Sequence, residues 1–260
     1  MKTALTIAGS DSGGGAGIQA DLKTFAAHGV YGTCAITAVT AQNTLGVEAV
    51  ENLSLELIVA QVNAVADDIG VDAVKTGMLA TPEIVERVAT LLPSLPTPHI
   101  VVDPVMVAKS GARLLAEEAI DAVRRMLLPH ATVVTPNAME AEVLAKIEID
   151  SLGSAREAAK RIFDLGPGTV VIKGGHIPTP DAVDLVYNGH EYLELSGPRL
   201  PSRHTHGTGC TFAAAVAANL ALGLPTPDSI SGAKHYVAQA IRHGLPFGSG
   251  HGPLGHFWER

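Results

Sequence analysis

Short apolar runs alternate with amphipathic stretches along most of the chain. Short, largely apolar segments at 4–8, 34–40, 73–76, 100–102, 132–135 and 170–172 predict strands buried on both faces. Between them the period changes. Ile120, Val123 and Leu127 share one helical face, as do Ala158, Ile162 and Leu165. Thr81-Pro82 reads as an N-cap with proline at the first helical position. Ser154 with Glu157 has the spacing of a capping box. Alternation of strand and helix predicts an α/β fold, with a mostly parallel central sheet and helices on both faces. Late in the chain, segments 182–187 and 191–195 flank Asn188-Gly189, a type I′ hairpin signal that predicts an antiparallel edge. Two helices, over 209–222 and 227–243, close the pattern. No repeat or Pro/Gly/Ser-rich linker divides the chain, so 1–260 reads as a single domain.

Composition narrows the class. Apolar residues are 47% of the 260 positions and charged residues 17%, which fits a folded domain with a substantial core. The formal net charge of −8 argues against a general nucleic-acid or acidic-membrane surface. Anionic small ligands would then need local positive spots. Cys34 and Cys210 lie far apart and offer no disulfide framework. The longest apolar stretch, 212–224, is interrupted by Asn219 and Gly223 and is short for a bilayer span. No signal-peptide pattern opens the sequence. The expectation is a cytoplasmic protein.

In an open α/β sheet, ligands bind beyond the C-terminal ends of the strands. Polar and glycine clusters fall there repeatedly: Gly9 to Gly13, Gln42-Asn43, Lys75 to Met78, Asp103 to Met106, Thr135 to Asn137 and Lys173 to His176. The segment His204-Thr205-His206-Gly207-Thr208-Gly209-Cys210-Thr211 runs into an Ala-rich helix. Free backbone N–H groups and the helix dipole make its start a candidate anion hole, where the Cys210 thiol pKa would be lowered. The same residues also read as a plain glycine turn with an inert cysteine. Gly13 to Gly17 lacks the G-x-G-x-x-G spacing, and no Walker motif is present. A loop closing over a small substrate and a turn needing positive φ both fit it. Asp21 suits the first helix's dipole, and Gln42 suits a hydrogen bond to a heterocycle. Asn137 with Glu140 reads as a capping box, or as a pair ordering water around Mg²⁺. Lys173 is placed either to reach phosphate or to snorkel at a strand end. His204 and His206 have no partners at metal-ligand spacing.

Taken in order, these motifs, with Gly252-Pro253-Leu254 near the end, resemble the hydroxymethylpyrimidine/phosphomethylpyrimidine kinases of thiamine biosynthesis, in the ribokinase-like superfamily. The resemblance covers nearly the whole chain. It implies Mg-ATP-dependent phosphorylation of 4-amino-5-hydroxymethyl-2-methylpyrimidine and then of its monophosphate. It implies that Gln42 hydrogen-bonds the aminopyrimidine, with Gly9, Ala16, Met78 and Val105 lining the pocket. Lys173, Asn137 and Thr208 would meet ATP, and Glu140 with Asp103 would hold Mg²⁺ through water. Gly207 to Cys210, including Gly209, would form the anion hole. Cys210 stands where many ribokinase-like sugar kinases carry a catalytic Asp, and would act as a thiolate base, with Asp21 assisting. A homodimer is implied as well. Two rival readings are a pyridoxal or pyridoxine kinase on the same scaffold, and a non-catalytic pyrimidine-binding protein.

Overall fold

The structure, a computed structural model, describes residues 1–108, 111–177 and 180–258. Its strands are β1 (Thr3–Asp11), β2 (Tyr31–Gln42), β3 (Val47–Asn52), β4 (Ala73–Thr76), β5 (Ile100–Val102), β6 (Val133–Val134), β7 (Val170–Ile172), β8 (Ala182–Tyr187) and β9 (Tyr192–Gly197). They form one sheet in the order β3-β2-β1-β4-β5-β6-β7-β8-β9. From β2 to β7 every neighbour is parallel; β3, β8 and β9 pair antiparallel at the edges. The expected parallel centre is present, because its strands are continuous apolar runs covered on both faces.

Two differences from the sequence reading concern the edges. Strand β3 was not anticipated. Its sequence, Val-Glu-Ala-Val-Glu-Asn, is mostly exposed, so it carries no buried apolar run to announce it. The hairpin β8–β9 is real, but Tyr187 pairs with Tyr192, leaving a four-residue loop instead of a type I′ turn. Within that loop the Asn188 side chain accepts N–H bonds from His190 (3.0 Å) and Glu191 (2.9 Å), while Gly189 takes φ +90°.

The helices are α1 (Gly17–Ala27), α2 (Leu55–Asp68), α3 (Pro82–Leu91), α4 (Ala119–Ala122), α5 (Ala138–Ala145), α6 (Leu152–Phe163), α7 (Thr208–Ala221) and α8 (Thr226–Arg242). Thr81 caps α3 as expected. The box on α6 begins at Ser151; Ser154 returns the bond as its fourth member, so the expected Ser154–Glu157 box is displaced by one turn. The face predicted from Ile120 to Leu127 continues from α4 into a π-helical turn and then a 3₁₀ turn carrying Pro129.

One face of the sheet packs on Ile58, Val85, Leu144 and Ile162. The other packs on Phe25, Phe212, Ala213, Ala214 and Val216. Helix α7 is buried continuously from Thr211 to Ala221. Its alanines keep the helix thin, so it lies beneath the middle of the sheet with its N-terminus at the strand ends.

Candidate active site

Strand β1 has β2 on one side and β4 on the other, so the chain changes direction of build at β1. Such a switch point opens a crevice at the C-terminal strand ends. Asp11 ends β1 and organises the glycine loop that follows. Its carboxylate accepts N–H bonds from Gly13 (2.8 Å), Gly15 (3.1 Å) and Ala16 (2.8 Å). Gly17 has φ +55°, and a Cβ there would strike the Gly9 carbonyl, so glycine is required. Burial opposes the charge on Asp11, but His206 and the loop N–H groups outweigh it and hold the carboxyl below its ordinary value.

The His-Thr-His-Gly-Thr-Gly-Cys turn docks directly on this loop. His206 Nε2 lies 2.8 Å from Asp11 Oδ2. Gly207, at φ +81°, begins α7, and any Cβ on it would meet the Gly15 carbonyl oxygen. The Gly17 backbone amide favours the ionised form of the Cys210 thiol. The N-termini of α1 and α7 therefore face one another, both with dipoles favourable to an anion. Thr208 donates its hydroxyl proton to the Thr205 carbonyl at 2.7 Å.

The expected lowering of the Cys210 pKa is overturned. Burial pushes the thiol up to about 11, with Asp21 and Asp103 adding to the effect and Lys75 opposing it. Desolvation of a thiolate and two nearby carboxylates outweigh the helix N-terminus. Cys210 is a neutral thiol at neutral pH.

Two lysine–aspartate pairs flank this point. Lys75 Nζ binds Asp21 Oδ2 at 2.8 Å, with both side chains fully buried. Thr6 donates to the same oxygen at 2.6 Å. Burial disfavours the Lys75 charge, yet Asp21 and its neighbours keep the ammonium's pKa above the usual value. Burial likewise pushes Asp21 up, against the pull of Lys75 and Thr6. Lys173 Nζ binds Asp103 Oδ1 at 3.0 Å and remains 15% exposed. A Cβ on Gly209 would stand 3.3 Å from Lys173 Nζ, so this cation borders the α7 N-terminus. Lys75 opens the Lys75–Met78 cluster named from sequence but was given no role of its own. A lysine inside the predicted strand 73–76 was the available signal.

Asn137 and Glu140 form a complete capping box on α5, with bonds of 2.9 and 2.8 Å. Burial pushes Glu140 up to about 7, while Lys173 pulls it down and Asp103 adds to the rise. Asp103 Oδ2 is buried without a hydrogen-bond partner. A free carboxylate oxygen beside Glu140 fits a hydrated divalent cation. Among the described residues no cluster of three or more His, Cys, Asp or Glu side chains forms a direct cage. Mg²⁺ keeps several waters and commonly takes few protein ligands.

The expected substrate-side residues are partly united. A Cβ on Gly9 would lie 3.2 Å from Met78 Sδ, across β1 and β4. Gln42 closes toward His206. Ala16 sits at the start of α1, and Val105 follows Asp103 on the segment after β5, both partly exposed. Met78 also lines an open cavity of about 270 Å³ with Asn52, Ala80, Arg113 and Leu115. His206 is the member that sequence reading set aside, because a single histidine carries no spacing signal.

Comparisons with known proteins agree with this architecture. The family model for phosphomethylpyrimidine kinase matches residues 11–255. The chain is similar to a hydroxymethylpyrimidine/phosphomethylpyrimidine kinase of Streptomyces coelicolor, with 53% identity over 98% of this chain and 94% of that one. It is similar in structure to an ADP complex of Bacillus subtilis pyridoxal kinase, with TM-score 0.92, 42% identity, and 98% and 97% of the two chains covered. Staphylococcus aureus pyridoxal kinase, in complex with AMP-PCP and pyridoxal, gives TM-score 0.92 and 38% identity, with 100% and 94% covered. A match of this extent to the family model and to its relatives means that the chain belongs to the phosphomethylpyrimidine kinase family.

Proposed function

We propose that this protein transfers the γ-phosphoryl group of ATP to 4-amino-5-hydroxymethyl-2-methylpyrimidine, and then phosphorylates the monophosphate to the diphosphate. The observation that carries the reading is the partly exposed Lys173 beside the N-terminus of α7, the helix start that docks on the glycine loop after β1. A fixed cation and converging N–H groups are what a transferring phosphoryl group requires, since positioning and charge neutralisation supply most of this catalysis. The substrate hydroxyl oxygen forms a bond to the γ-phosphorus. The bond to the ADP oxygen breaks, and the hydroxyl proton leaves to solvent or a nearby base.

Lys173 and the N–H groups of Gly209 and Cys210 would hold the γ-phosphoryl oxygens. Asn137 and Thr208 would border ATP, and Gln42 would bind the heterocycle over Gly9, Ala16, Met78 and Val105. Glu140 and Asp103 would hold Mg²⁺ through water. That ion would neutralise charge on the β- and γ-phosphates. Asp21 supports the site through Lys75.

One continuous sheet supports a single domain over 1–260. Among the described residues no helix is long and apolar enough to cross a membrane, which is consistent with a cytoplasmic location. A homodimer is the expected assembly, which light scattering tests. The decisive experiment offers Mg-ATP with the hydroxymethylpyrimidine, its monophosphate and pyridoxal in parallel, with product masses read out. A diphosphate from the monophosphate supports the reading. Pyridoxal phosphate alone assigns the protein to vitamin B6, and no product from any of the three refutes a kinase.

A further inference from the structure

We propose that His206, held by Asp11, fixes the orientation of the Gln42 amide and so sets which heterocycle edge the site accepts. This rests on the reading of Gln42 as the heterocycle-binding side chain.

Asp11 is ionised at neutral pH, since its carboxyl is held below the ordinary value. An ionised carboxylate only accepts hydrogen bonds. His206 Nε2, 2.8 Å from Asp11 Oδ2, therefore carries a proton. Both side chains are largely buried, at 8% and 3% exposure, and the ring lies against Gly15, where a Cβ would strike it. The imidazole cannot turn away without breaking the glycine loop.

The Gln42 amide ends 3.4 Å from the same ring nitrogen. With its NH₂ toward His206, donor meets donor. Turned by 180°, the amide presents Oε1 to the Nε2–H as the longer arm of a three-centre bond whose shorter arm goes to Asp11. Its NH₂ then faces Thr40 Oγ1, the group 3.1 Å from the other end of the amide. Thr40 directs its own proton to the Ser10 carbonyl at 3.0 Å and so accepts from Gln42. No donor then faces a donor in the chain Asp11–His206–Gln42–Thr40, with the one Nε2–H shared between Asp11 and Gln42. The assignment follows from the network, because amide oxygen and nitrogen are distinguished by their partners.

The consequence is directional. Gln42 keeps one free lone pair on the His206 side and one free N–H on the Thr40 side. It can pair in two-point fashion with a ring nitrogen beside an amino group, in one orientation. A 4-aminopyrimidine has that edge. A pyridine bearing a phenolic hydroxyl does not. His206 is thus a positioning residue for specificity.

The test is calorimetric binding of the hydroxymethylpyrimidine and of pyridoxal to the native protein, His206→Ala, His206→Gln, Gln42→Ala and the double variant His206→Ala/Gln42→Ala. Loss of His206 should weaken hydroxymethylpyrimidine binding about tenfold, the size of one hydrogen bond. Pyridoxal binding should change less than threefold. His206→Gln, whose NH₂ can donate to both partners, should restore most of the affinity. In the Gln42→Ala background, His206→Ala should have no further effect. Equal losses for both heterocycles, or additive losses in the double variant, would overturn the proposal. Nitrogen-15 NMR of the native protein gives an answer that does not depend on a variant folding: a protonated Nε2 on His206 is expected, and an unprotonated one sinks the idea. Absence of kinase turnover by the native protein counts against the proposed function instead. The tautomer and the binding cycle address His206 alone.

Discussion

The two lysine–aspartate pairs have the same chemistry and different surroundings. Lys75–Asp21 is sealed, with no side-chain exposure on either partner. Lys173–Asp103 lies at the crevice, with the lysine 15% exposed. A sealed pair has lost its water, leaving Asp21 Oδ1 without a hydrogen-bond partner, so its charge acts on neighbours through the low-dielectric interior and meets no ligand. An open pair can trade its carboxylate for a phosphate oxygen. Position along the strand makes the difference: Lys75 lies within β4, under α7, while Lys173 follows the last residue of β7. In the proposed function, Lys75 would be the floor of the site and Lys173 its working cation.

Breaking the two pairs separately gives the largest contrast. Lys75→Ala leaves Asp21 buried and unpaired, and should lower the unfolding free energy by about 3–5 kcal/mol. Urea denaturation measures this. Lys173→Ala should cost less stability but lower kcat by about 10²–10³, the range for removing one preorganised charge-stabilising donor. The reverse pattern, a stable Lys75→Ala and an unfolded Lys173→Ala, would show that the roles are exchanged.

Glu140 sharpens the open pair, because its carboxyl titrates at about 7 beside Lys173 and Asp103. If its anion helps hold the metal, kcat/KM for ATP rises with pH through about 7 and falls about tenfold per unit below it. Glu140→Gln should flatten that limb; a persistent limb would assign it to another group. The stability sign is opposite. A carboxyl raised from 4.5 binds its proton more tightly in the native state, so its favourable contribution is full below 4.5 and is lost as pH rises through about 7.

The smallest effect is expected between the pairs, at Cys210. A thiol with a pKa of about 11 is protonated at neutral pH. Cys210→Ala should therefore reduce kcat less than about tenfold, below the roughly 10²–10⁴ of a positioned general base. A loss beyond about a hundredfold would restore the thiolate base that the sequence suggested.

The amino-acid sequence by itself determined the parallel core. Segments 100–102 and 170–172 are apolar without interruption, and each is a strand with those bounds; 73–76 is a strand with its expected bounds as well, although it carries Lys75 and Thr76. It also identified the N-cap at Thr81 and the box joining Asn137 to Glu140, because capping is local chemistry between residues three apart. Strand β3 escaped, since an exposed edge strand has no buried face to impose a pattern. What only the tertiary structure decided was environment. Burial set the Cys210 thiol against its helix terminus, and it separated Lys75 from Lys173. Partnership between residues 195 positions apart joined Asp11 to His206. Local sequence carries propensities that act over a few residues, whereas desolvation and long-range pairing depend on which elements the fold stacks together.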